Sequence, residues 1–216
     1  MKFLAIIAKN FGREPMSEEN KTVGATPGED VSGLIQSQLK DHRARNAVEL
    51  DSISRAYDKY IFRARRKRTV TVWLTDELIR RVHFDMFGEI WDWAGKYRTF
   101  GLNMGMDPHL IVEQVKILCG DFNFWNSDQC SMPPLEVAAR LQNRFTRIHP
   151  FKNGNGRHAR LITDIYLNSI KHPLPNWPQI QLVSHGDQIR EQYFAAMKTA
   201  DQEDYSELIS FMEKHL

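Results

Sequence analysis

Apolar residues recur at helical spacing along most of this chain, and strand-like alternation is rare. A spacing of three or four residues is typical of an amphipathic helix that buries one face. The pattern therefore predicts a mostly helical protein with one core. The apolar stripes lie at Val48, Ile53, Tyr57 and Ile61; at Leu78, Val82, Met86 and Ile90; at Ile111, Val115, Leu118 and Phe122; at Ala138, Leu141, Phe145 and Ile148; and at Leu161, Ile162, Ile165, Tyr166 and Ile170.

Capping residues, prolines and glycines predict where the helices begin and end. Thr75 is typical of an N-cap for a helix that runs to about Trp93. Asp107 followed by Pro108 is typical of a helix start, and that helix should run to about Trp125. Two further helices are predicted near the end of the chain, at about 186–199 and 204–215.

Residues 96–106 break the helical pattern. Gly101, Asn103 and Gly105 are spaced through them, which suits a short hairpin better than another helix. The predicted fold is therefore mostly α, a helical bundle with a short β-hairpin flap.

The first third of the chain is less regular. Residues 1–22 are predicted to be a flexible leader or extension, because Met16 opens a polar stretch that is typical of a natural start. A signal peptide is not predicted, since the apolar run at 3–8 is shorter than the roughly 7–15 residues of a signal-peptide core. Residues 23–68 are predicted to be an arm followed by a helix. Residues 69–216 then form the main domain.

Composition limits the classes of protein that are possible but does not indicate a function. A chain of 216 residues with 42% hydrophobic content can bury a sizeable core, and its formal net charge of +2 gives no global reason to expect nucleic acid as a partner. The basic cluster Arg63–Arg68 is best explained as a solvated helix end, with a phosphate grip as the alternative. Residues 69–73 alternate like a short strand.

The cysteines and the hydropathy indicate a soluble cytoplasmic protein. Only Cys119 and Cys130 occur, without the spacing of a metal site, so a reducing compartment is expected. No apolar run approaches the length of about 20 residues that a membrane span needs. No membrane partner is therefore expected.

The candidate chemistry lies in one polar loop, from His149 to Arg160, with the sequence H-P-F-K-N-G-N-G-R-H-A-R. Gly154 and Gly156 permit positive φ and let backbone N–H groups approach a ligand closely. Where such a turn starts a helix, those N–H groups and the helix dipole form an anion site. The loop is therefore a candidate phosphate cradle.

Three ionisable side chains flank this cradle. Arg157 and Arg160 are three residues apart, so on a helix they share a face and can both reach phosphate oxygens. His149 lies on the other side of the loop, and a neutral imidazole can accept a proton near pH 7. Each residue alone is more often structural, but together they suggest transfer chemistry on a nucleotide.

This loop resembles the signature of Fic/Doc proteins, H-P-F-x-[D/E]-G-N-[G/K]-R-x-x-R, at every fixed position except Asn153. W-A-G-K-Y-R-T, at 93–99, resembles the family's lead into its flap, and the helix order agrees over roughly residues 70–214. With G-A-T-P at 24–27, the chain is similar to the bacterial subgroup called mobile mystery protein B. The main domain at 69–216 is thus expected to be a Fic domain.

The resemblance implies a protein adenylyltransferase that moves AMP from ATP, with Mg²⁺ or Mn²⁺, to a Ser, Thr or Tyr hydroxyl of a target protein. In this role His149 would be the general base and Phe151 would pack under the loop. Gly156, where phosphate-transferring relatives have lysine, favours AMP transfer. The implied nucleotide-binding residues are Asn153, Gly154, Asn155, Gly156, Arg157 and Arg160, and the implied target-positioning flap residues are Thr99, Phe100, Gly101 and Leu102.

Asn153 is the one departure from the signature. The family's acidic residue at this position binds Mg²⁺, and a neutral amide oxygen should bind a hard cation more weakly. Three outcomes stay open: slower metal-dependent transfer, a different phosphate geometry, or a domain that only binds. The function classes are accordingly an adenylyltransferase and, as the alternative, a weakened nucleotide-binding or toxin-like interaction module without AMP transfer.

Regulation by self-inhibition or by a partner is also implied, because many relatives are inhibited by a glutamate in an [S/T]-x-x-x-E-[G/N] segment that pairs with the second arginine, here Arg160. The nearest match is Thr199–Glu203, which makes Glu203 a candidate inhibitory residue, although a helix connection explains it equally well. The N-terminal helix, with Asn46 and Glu49, is a second candidate without the full motif.

Overall fold

The structure is a computed structural model, and it describes residues 31–35, 42–62, 74–178 and 187–216. The predicted leader at 1–22, the basic cluster at 63–68 and the strand-like residues 69–73 lie outside these ranges. The predicted domain boundaries after residues 22 and 68 lie outside them as well and stay predictions.

Helices dominate the described residues, which confirms the mostly α fold class. A π-helical turn, Asp58–Phe62, continues the first helix, and a 3₁₀ turn, Pro108–Leu110, leads into the third. The helices are α1 His42–Tyr57, α2 Asp76–Phe87, α3 Ile111–Trp125, α4 Pro134–Ile148, α5 Asn155–Ser169, α6 Gln188–Ala200 and α7 Ser206–Glu213.

These helices belong to two compact units. Residues 31–174 form one unit, which contains α1 to α5, and residues 175–216 belong to the other, which contains α6 and α7. In the first unit, α4 and α5 pack closely against each other, and α1 packs on α2.

The core of the first unit is built from the predicted stripes. Val82 and Met86 of α2, Leu141 of α4 and Leu161 of α5 have no exposed surface, and Phe145 is 1% exposed. Burying each such side chain contributes roughly 1.5–3 kcal/mol. Leu78, Ile165 and Ile170 are only half-buried, so the stripes on α2 to α5 were predicted well but not to the last residue. The stripe on α1 was predicted less well, because Val48, Ile53 and Tyr57 are also only half-buried.

Helix α2 ends at Phe87, not near Trp93 as predicted, because residues beyond it bond elsewhere. The Gly88 N–H still donates to the Phe84 carbonyl, and Gly88 caps the helix. Beyond Gly88, an isolated antiparallel bridge pairs Trp91 with Leu34, and the Asp92 N–H donates to the Gly33 carbonyl. Backbone groups of residues 90–92 are thus used by residues 33–35 rather than by another helical turn.

The flap differs in detail from the predicted β-hairpin. Residues 98–106 contain no β-ladder between the two arms of the flap. Instead, the Arg98 side chain donates hydrogen bonds to the carbonyls of both Phe100 and Met106. The glycines and the asparagine predicted the reversal of the chain, but a side chain joins its arms.

The second unit pairs α6 with α7, close to the predicted 186–199 and 204–215. Tyr193 packs its ring against Phe211 at a centroid distance of 5.4 Å, and Leu208 has no exposed surface. Asp187 caps α6 by accepting from the Ile189 N–H. Among the described residues, no helix combines the length and the hydropathy of a membrane span.

Candidate functional site

The candidate loop joins two packed helices through left-handed residues at both ends. His149 follows α4 with φ 51° and ψ 58°, and its N–H donates to the Phe145 carbonyl. Gly154 precedes α5 with φ 78°. Positive φ reverses the chain sharply, so the imidazole and the N-terminus of α5 are brought to the same end of the helix pair.

Asn155 closes the loop from inside. Its Oδ1 accepts from the Phe151 N–H at 2.9 Å, and its Nδ2 donates to the Phe151 carbonyl at 2.8 Å. The side chain is buried, and both ends of its amide are satisfied. Asn155, predicted as a nucleotide-binding residue, therefore braces the loop with its side chain and can offer a ligand only its backbone N–H.

His83 of α2 holds the loop from below. Its Nδ1 accepts from the Gly95 N–H and its Nε2 lies 3.0 Å from the Asn153 carbonyl, so the proton must reside on Nε2. The ring stacks on fully buried Phe151 at 3.7 Å between centroids. Burial lowers the pKa of His83 well below its ordinary value, so it stays neutral and keeps this tautomer.

The N-terminus of α5 presents the predicted phosphate cradle. Helix starts leave their first N–H groups without intrahelical partners, here those of Asn155, Gly156 and Arg157, whereas the His158 N–H already bonds the Gly154 carbonyl. The Asn153 Oδ1 accepts from the Gly154 N–H at 2.6 Å. One donor of the predicted cradle is thus used by Asn153, and the next three lie at the helix start without intrahelical partners.

Gly154 cannot be replaced without strain, whereas Gly156, two residues later, can. The two glycines therefore allow a matched comparison of stability within the loop. A Cβ at 154 would lie 2.5 Å from two ring carbons of buried Phe87, at φ 78°, whereas a Cβ at 156 would meet only the Arg160 Nη1 at 3.6 Å. We expect Gly154→Ala to destabilise the protein by about 2–4 kcal/mol, and Gly156→Ala by less than about 1 kcal/mol. Urea unfolding of the two variants checks this, and equal midpoints would contradict it.

Arg157 is engaged by a glutamate from α1. Its Nη1 donates to the Glu49 Oε2 at 2.9 Å, and its guanidinium lies over the Phe87 ring. Trp91 donates from Nε1 to the other Glu49 oxygen at 2.8 Å. Burial acts to raise the pKa of Glu49, but Arg157, Trp91 and Arg45 outweigh it and hold that pKa below its usual value, so the pair is ionic at pH 7.

Arg160 is placed differently from Arg157. It is buried, with 5% of its surface exposed, and its Nη1 points back toward Gly156 at the start of α5. Nearby on α5, Asp164 accepts from the Tyr57 hydroxyl at 3.1 Å, and charges on Arg160 and Asp164 both act on that tyrosine. The two predicted cations are therefore both directed at the helix start, one half-exposed and one enclosed.

The imidazole of His149 is held neutral by its surroundings. Burial lowers its pKa to about 4, the nearby Thr146 backbone partly opposes this, and the charge of Arg98 lowers it further. A neutral imidazole at pH 7 is competent to accept a proton without first losing one.

The base of the flap bonds to the backbone on both sides of His149. The Met106 N–H donates to the Ile148 carbonyl, and the Arg98 N–H donates to the Pro150 carbonyl at 2.9 Å. At the outer part of the flap, Thr99 and Gly101 are exposed and Phe100 is 46% exposed, while Leu102 is half-buried. The predicted target-positioning residues thus lie on a segment anchored next to the predicted base.

Glu203 lies in the other compact unit, in the turn between α6 and α7. It is exposed, has φ 66°, and its N–H donates to the Ala200 carbonyl, as expected of a helix connection. Because Arg160 belongs to the first unit, each is described separately, and the predicted pairing of Glu203 with Arg160 stays a prediction.

Several residues of the site were not found by sequence reasoning. His83 and Arg98 bond to backbone carbonyls of the loop, and no spacing rule links either of them to a segment more than fifty positions away. The sequence indicated Glu49 as part of a second candidate inhibitory segment, but it did not indicate that Glu49 pairs with Arg157. The only available signal was chemical: a histidine in an otherwise apolar stripe and an arginine before glycines.

Comparison with known proteins places these features. Residues 73–167 match the family described as Fic/DOC. The protein adenylyltransferase fic-1 of Caenorhabditis briggsae is 30% identical over 124 residues, which are 56% of this chain and 23% of that protein. A structure of Fic-1 from C. elegans matches 82% of this chain and 49% of that chain, with a TM-score of 0.62 and 22% identity. BepC, a VirB-translocated effector of Bartonella tribocorum with bound AMPPNP, matches 78% and 86%, with a TM-score of 0.53 and 17% identity.

The chain therefore contains a Fic/DOC family domain, and its helices have the Fic fold. Relatives of this domain are named protein adenylyltransferases, so adenylyl transfer is a function within the family. The chain spans about a quarter of the length of the curated adenylyltransferases it matches. The resemblance to the mobile mystery protein B subgroup stays a prediction.

Proposed function

We propose that this domain is a protein adenylyltransferase that moves AMP from ATP to a hydroxyl of a target protein. A neutral, half-buried imidazole at the end of α4 beside the open N-terminus of α5 is the observation that carries the proposal. In the reaction, the target hydroxyl oxygen forms a bond to the α-phosphorus while the bond from that phosphorus to pyrophosphate breaks. His149 takes the hydroxyl proton, and pyrophosphate leaves.

The residues of the first unit fit the phosphates of ATP. The N–H groups of residues 155–157 and the dipole of α5 favour an anion at the helix start, and Arg157 and Arg160 supply two positive charges directed at it. Fixed donors that stabilise the charge of the transferred phosphoryl group are the main contribution a protein makes to this chemistry.

The same residues fit a divalent cation poorly. Among the described residues, no group of three His, Cys, Asp or Glu side chains is placed to hold a metal ion. In the loop, the oxygen at the expected metal position is the neutral Oδ1 of Asn153, and it already accepts from the Gly154 N–H. Mg²⁺ or Mn²⁺ would then be held chiefly by the oxygens of the nucleotide, with weak help from Asn153.

Asn153→Asp is expected to raise the Mg²⁺-dependent affinity for ATP by roughly tenfold, about 1.4 kcal/mol, because an anionic oxygen binds a hard cation better. AMP transfer should rise with it. Titration calorimetry with ATP, with and without Mg²⁺, measures the metal-dependent part. Gln129→Glu, which adds the same charge at an exposed position between α3 and α4, is the matched control. If Asn153→Asp left both Mg²⁺ binding and transfer unchanged, the metal account of this residue would be wrong.

Target binding is proposed to use the flap. Thr99 to Leu102 would pair with an extended segment of the target by strand addition, which fixes its Ser, Thr or Tyr hydroxyl near His149. Their exposure and the anchoring of the flap base to residues 148 and 150 support this placement.

Labelled ATP tests the proposal most directly. Incubation with Mg²⁺ or Mn²⁺ and ATP labelled in the α-phosphate should label the protein itself or a target, whereas ATP labelled in the γ-phosphate should not. Label from the γ-phosphate alone would indicate phosphorylation instead. The alternative, a nucleotide-binding or toxin-like interaction module, is favoured by the neutral Asn153 and predicts ATP binding without label from either position.

Inhibition by Glu49 is proposed as part of the same function. Its carboxylate occupies Arg157, which the nucleotide phosphates would otherwise use, and Trp91 holds it there. A phosphate that binds Arg157 must therefore compete with an internal carboxylate. Glu203 acting on Arg160 remains the alternative inhibitor.

A further inference from the structure

Three consecutive backbone carbonyls around His149 are all bound by the base of the flap. The Ile148 carbonyl accepts from the Met106 N–H, the Pro150 carbonyl accepts from the Arg98 N–H, and the His149 carbonyl accepts from the Arg98 Nε at 2.8 Å. His149 is thereby held in its left-handed conformation by groups that belong to the flap.

Arg98 also fixes the flap itself. Its Nη1 donates to the Phe100 carbonyl at 2.9 Å on the outgoing arm, and its Nη2 donates to the Met106 carbonyl on the returning arm. The guanidinium has donors in a rigid planar fork, so one side chain sets three distances at once: arm to arm, and each arm to His149.

The position of Arg98 supports this assignment over a surface role. Only 4% of its surface is exposed, so its charge is stabilised by carbonyl dipoles rather than by water. Burial lowers the pKa of Arg98, and Asp107 opposes that shift. A neutral or shorter side chain would leave buried carbonyls without donors, and the backbone at His149 would relax.

Gly105 supplies an independent observation for the same contact. It has φ 87°, and a Cβ there would collide with the His149 Cβ and would lie 2.9 Å from the Arg98 Nη2. The returning arm of the flap therefore lies directly against the imidazole side chain, next to the guanidinium. The flap, the Arg98 side chain and His149 are therefore packed against one another.

From these contacts we infer that Arg98 is a positioning residue that holds the target-binding flap and the general base in one fixed geometry. The inference rests on the proposed adenylyl transfer. Arg98 would then determine how the target hydroxyl is aligned with His149, although its side chain contacts neither the nucleotide nor the target. Arg98 should accordingly affect the transfer step much more than it affects ATP binding.

The test compares Arg98→Gln and Arg98→Lys with Arg81→Gln, a control on the exposed side of α2. For Arg98→Gln we expect the self-labelling rate at saturating ATP to fall by up to about 100-fold, with ATP affinity changed less than about twofold. Lys keeps the charge but not the fork, so Arg98→Lys should recover part of the rate. Equal rates in Arg98→Gln and wild type would overturn the inference, as would a loss of rate fully explained by weaker ATP binding.

A second measurement does not depend on activity. The imidazole of His149 can be titrated by NMR and assigned by the loss of its signal in His149→Gln. We expect its midpoint to move up from about 4 in Arg98→Gln, because a nearby positive charge is lost and the site opens to water. If Arg98→Gln does not fold, Gly105→Ala displaces the same contact with Arg98 intact and should shift the midpoint in the same direction. An unmoved midpoint overturns the inference even if the wild type transfers no AMP, whereas a moved midpoint without labelling contradicts only the proposed function.

Discussion

Replacement of His149 by alanine is expected to lower AMP transfer by roughly 10²–10⁴-fold, the usual contribution of a general base, with ATP affinity nearly unchanged. The imidazole follows α4 and lies beside the flap base, whereas the proposed anion site consists of the start of α5 and the two arginines. Loss of the ring removes the proton acceptor but leaves the phosphate cradle in place.

Single-turnover labelling with α-labelled ATP measures the effect, and calorimetry with ATP measures binding separately. His172→Ala is the matched control, since this histidine lies in the connection after α5 and its imidazole contacts the neighbouring Pro173 carbonyl. Label that persisted at the wild-type rate in His149→Ala would remove the base assignment. Lost ATP binding in that variant would mean that His149 belongs to the nucleotide site instead.

The pH dependence of the same rate follows from the low pKa of His149. The base is competent when neutral, so a pKa of about 4 keeps it competent down to roughly pH 5, and its loss begins only below that. An ordinary histidine would lose half its competence at pH 6.5. Titration of His149 should therefore not change the transfer rate between pH 5.5 and 8. A midpoint near 6.5 would show that His149 is not buried in the active form.

Helical periodicity predicted much of the fold of this chain. The stripes on α2, α4 and α5 predicted which residues fill the core, since burial follows directly from spacing on a helix. The loop could be recognised because its glycines, histidine and arginines are adjacent in the chain. Local chemistry and local spacing were sufficient for both.

Contacts between distant segments could not be predicted in this way. Helix α2 stops at Phe87 because residues 33–35 bond to the backbone of residues 90–92, and nothing within the helix sequence reports that pairing. The flap lacks a β-ladder because Arg98, an arginine like many others in sequence, turns inward to three carbonyls. Asn155 was predicted to bind the nucleotide, but both ends of its side-chain amide form hydrogen bonds with the backbone of Phe151.

The pairing of Glu49 with Arg157 has the clearest functional consequence among these distant contacts. Its two partners, Arg157 and Trp91, come from different parts of the chain, and all three side chains meet beside the start of α5. Only 12% of the Glu49 side chain is exposed, so water screens the ion pair less than it would on an open surface. A phosphate that approaches Arg157 therefore meets a carboxylate that water screens poorly.

Glu49→Gln is expected to tighten ATP binding by roughly tenfold, about 1.4 kcal/mol, and to raise AMP transfer with it. The amide keeps the shape of the side chain and can still accept from Trp91, but it no longer neutralises Arg157. The free charge of Arg157 is then available to the phosphates. Calorimetry with ATP and single-turnover labelling measure the two effects.

Two variants make that result specific. Glu89→Gln removes a negative charge that pairs with Arg55, both half-exposed, and should change neither measurement. Glu203→Gly tests the alternative inhibitor in the second unit. Activation by Glu203→Gly without activation by Glu49→Gln would assign inhibition to Glu203, and the pairing of Glu49 with Arg157 would then serve only to orient the arginine. Activation by Glu49→Gln alone would mean that α1 controls access of the nucleotide to the start of α5.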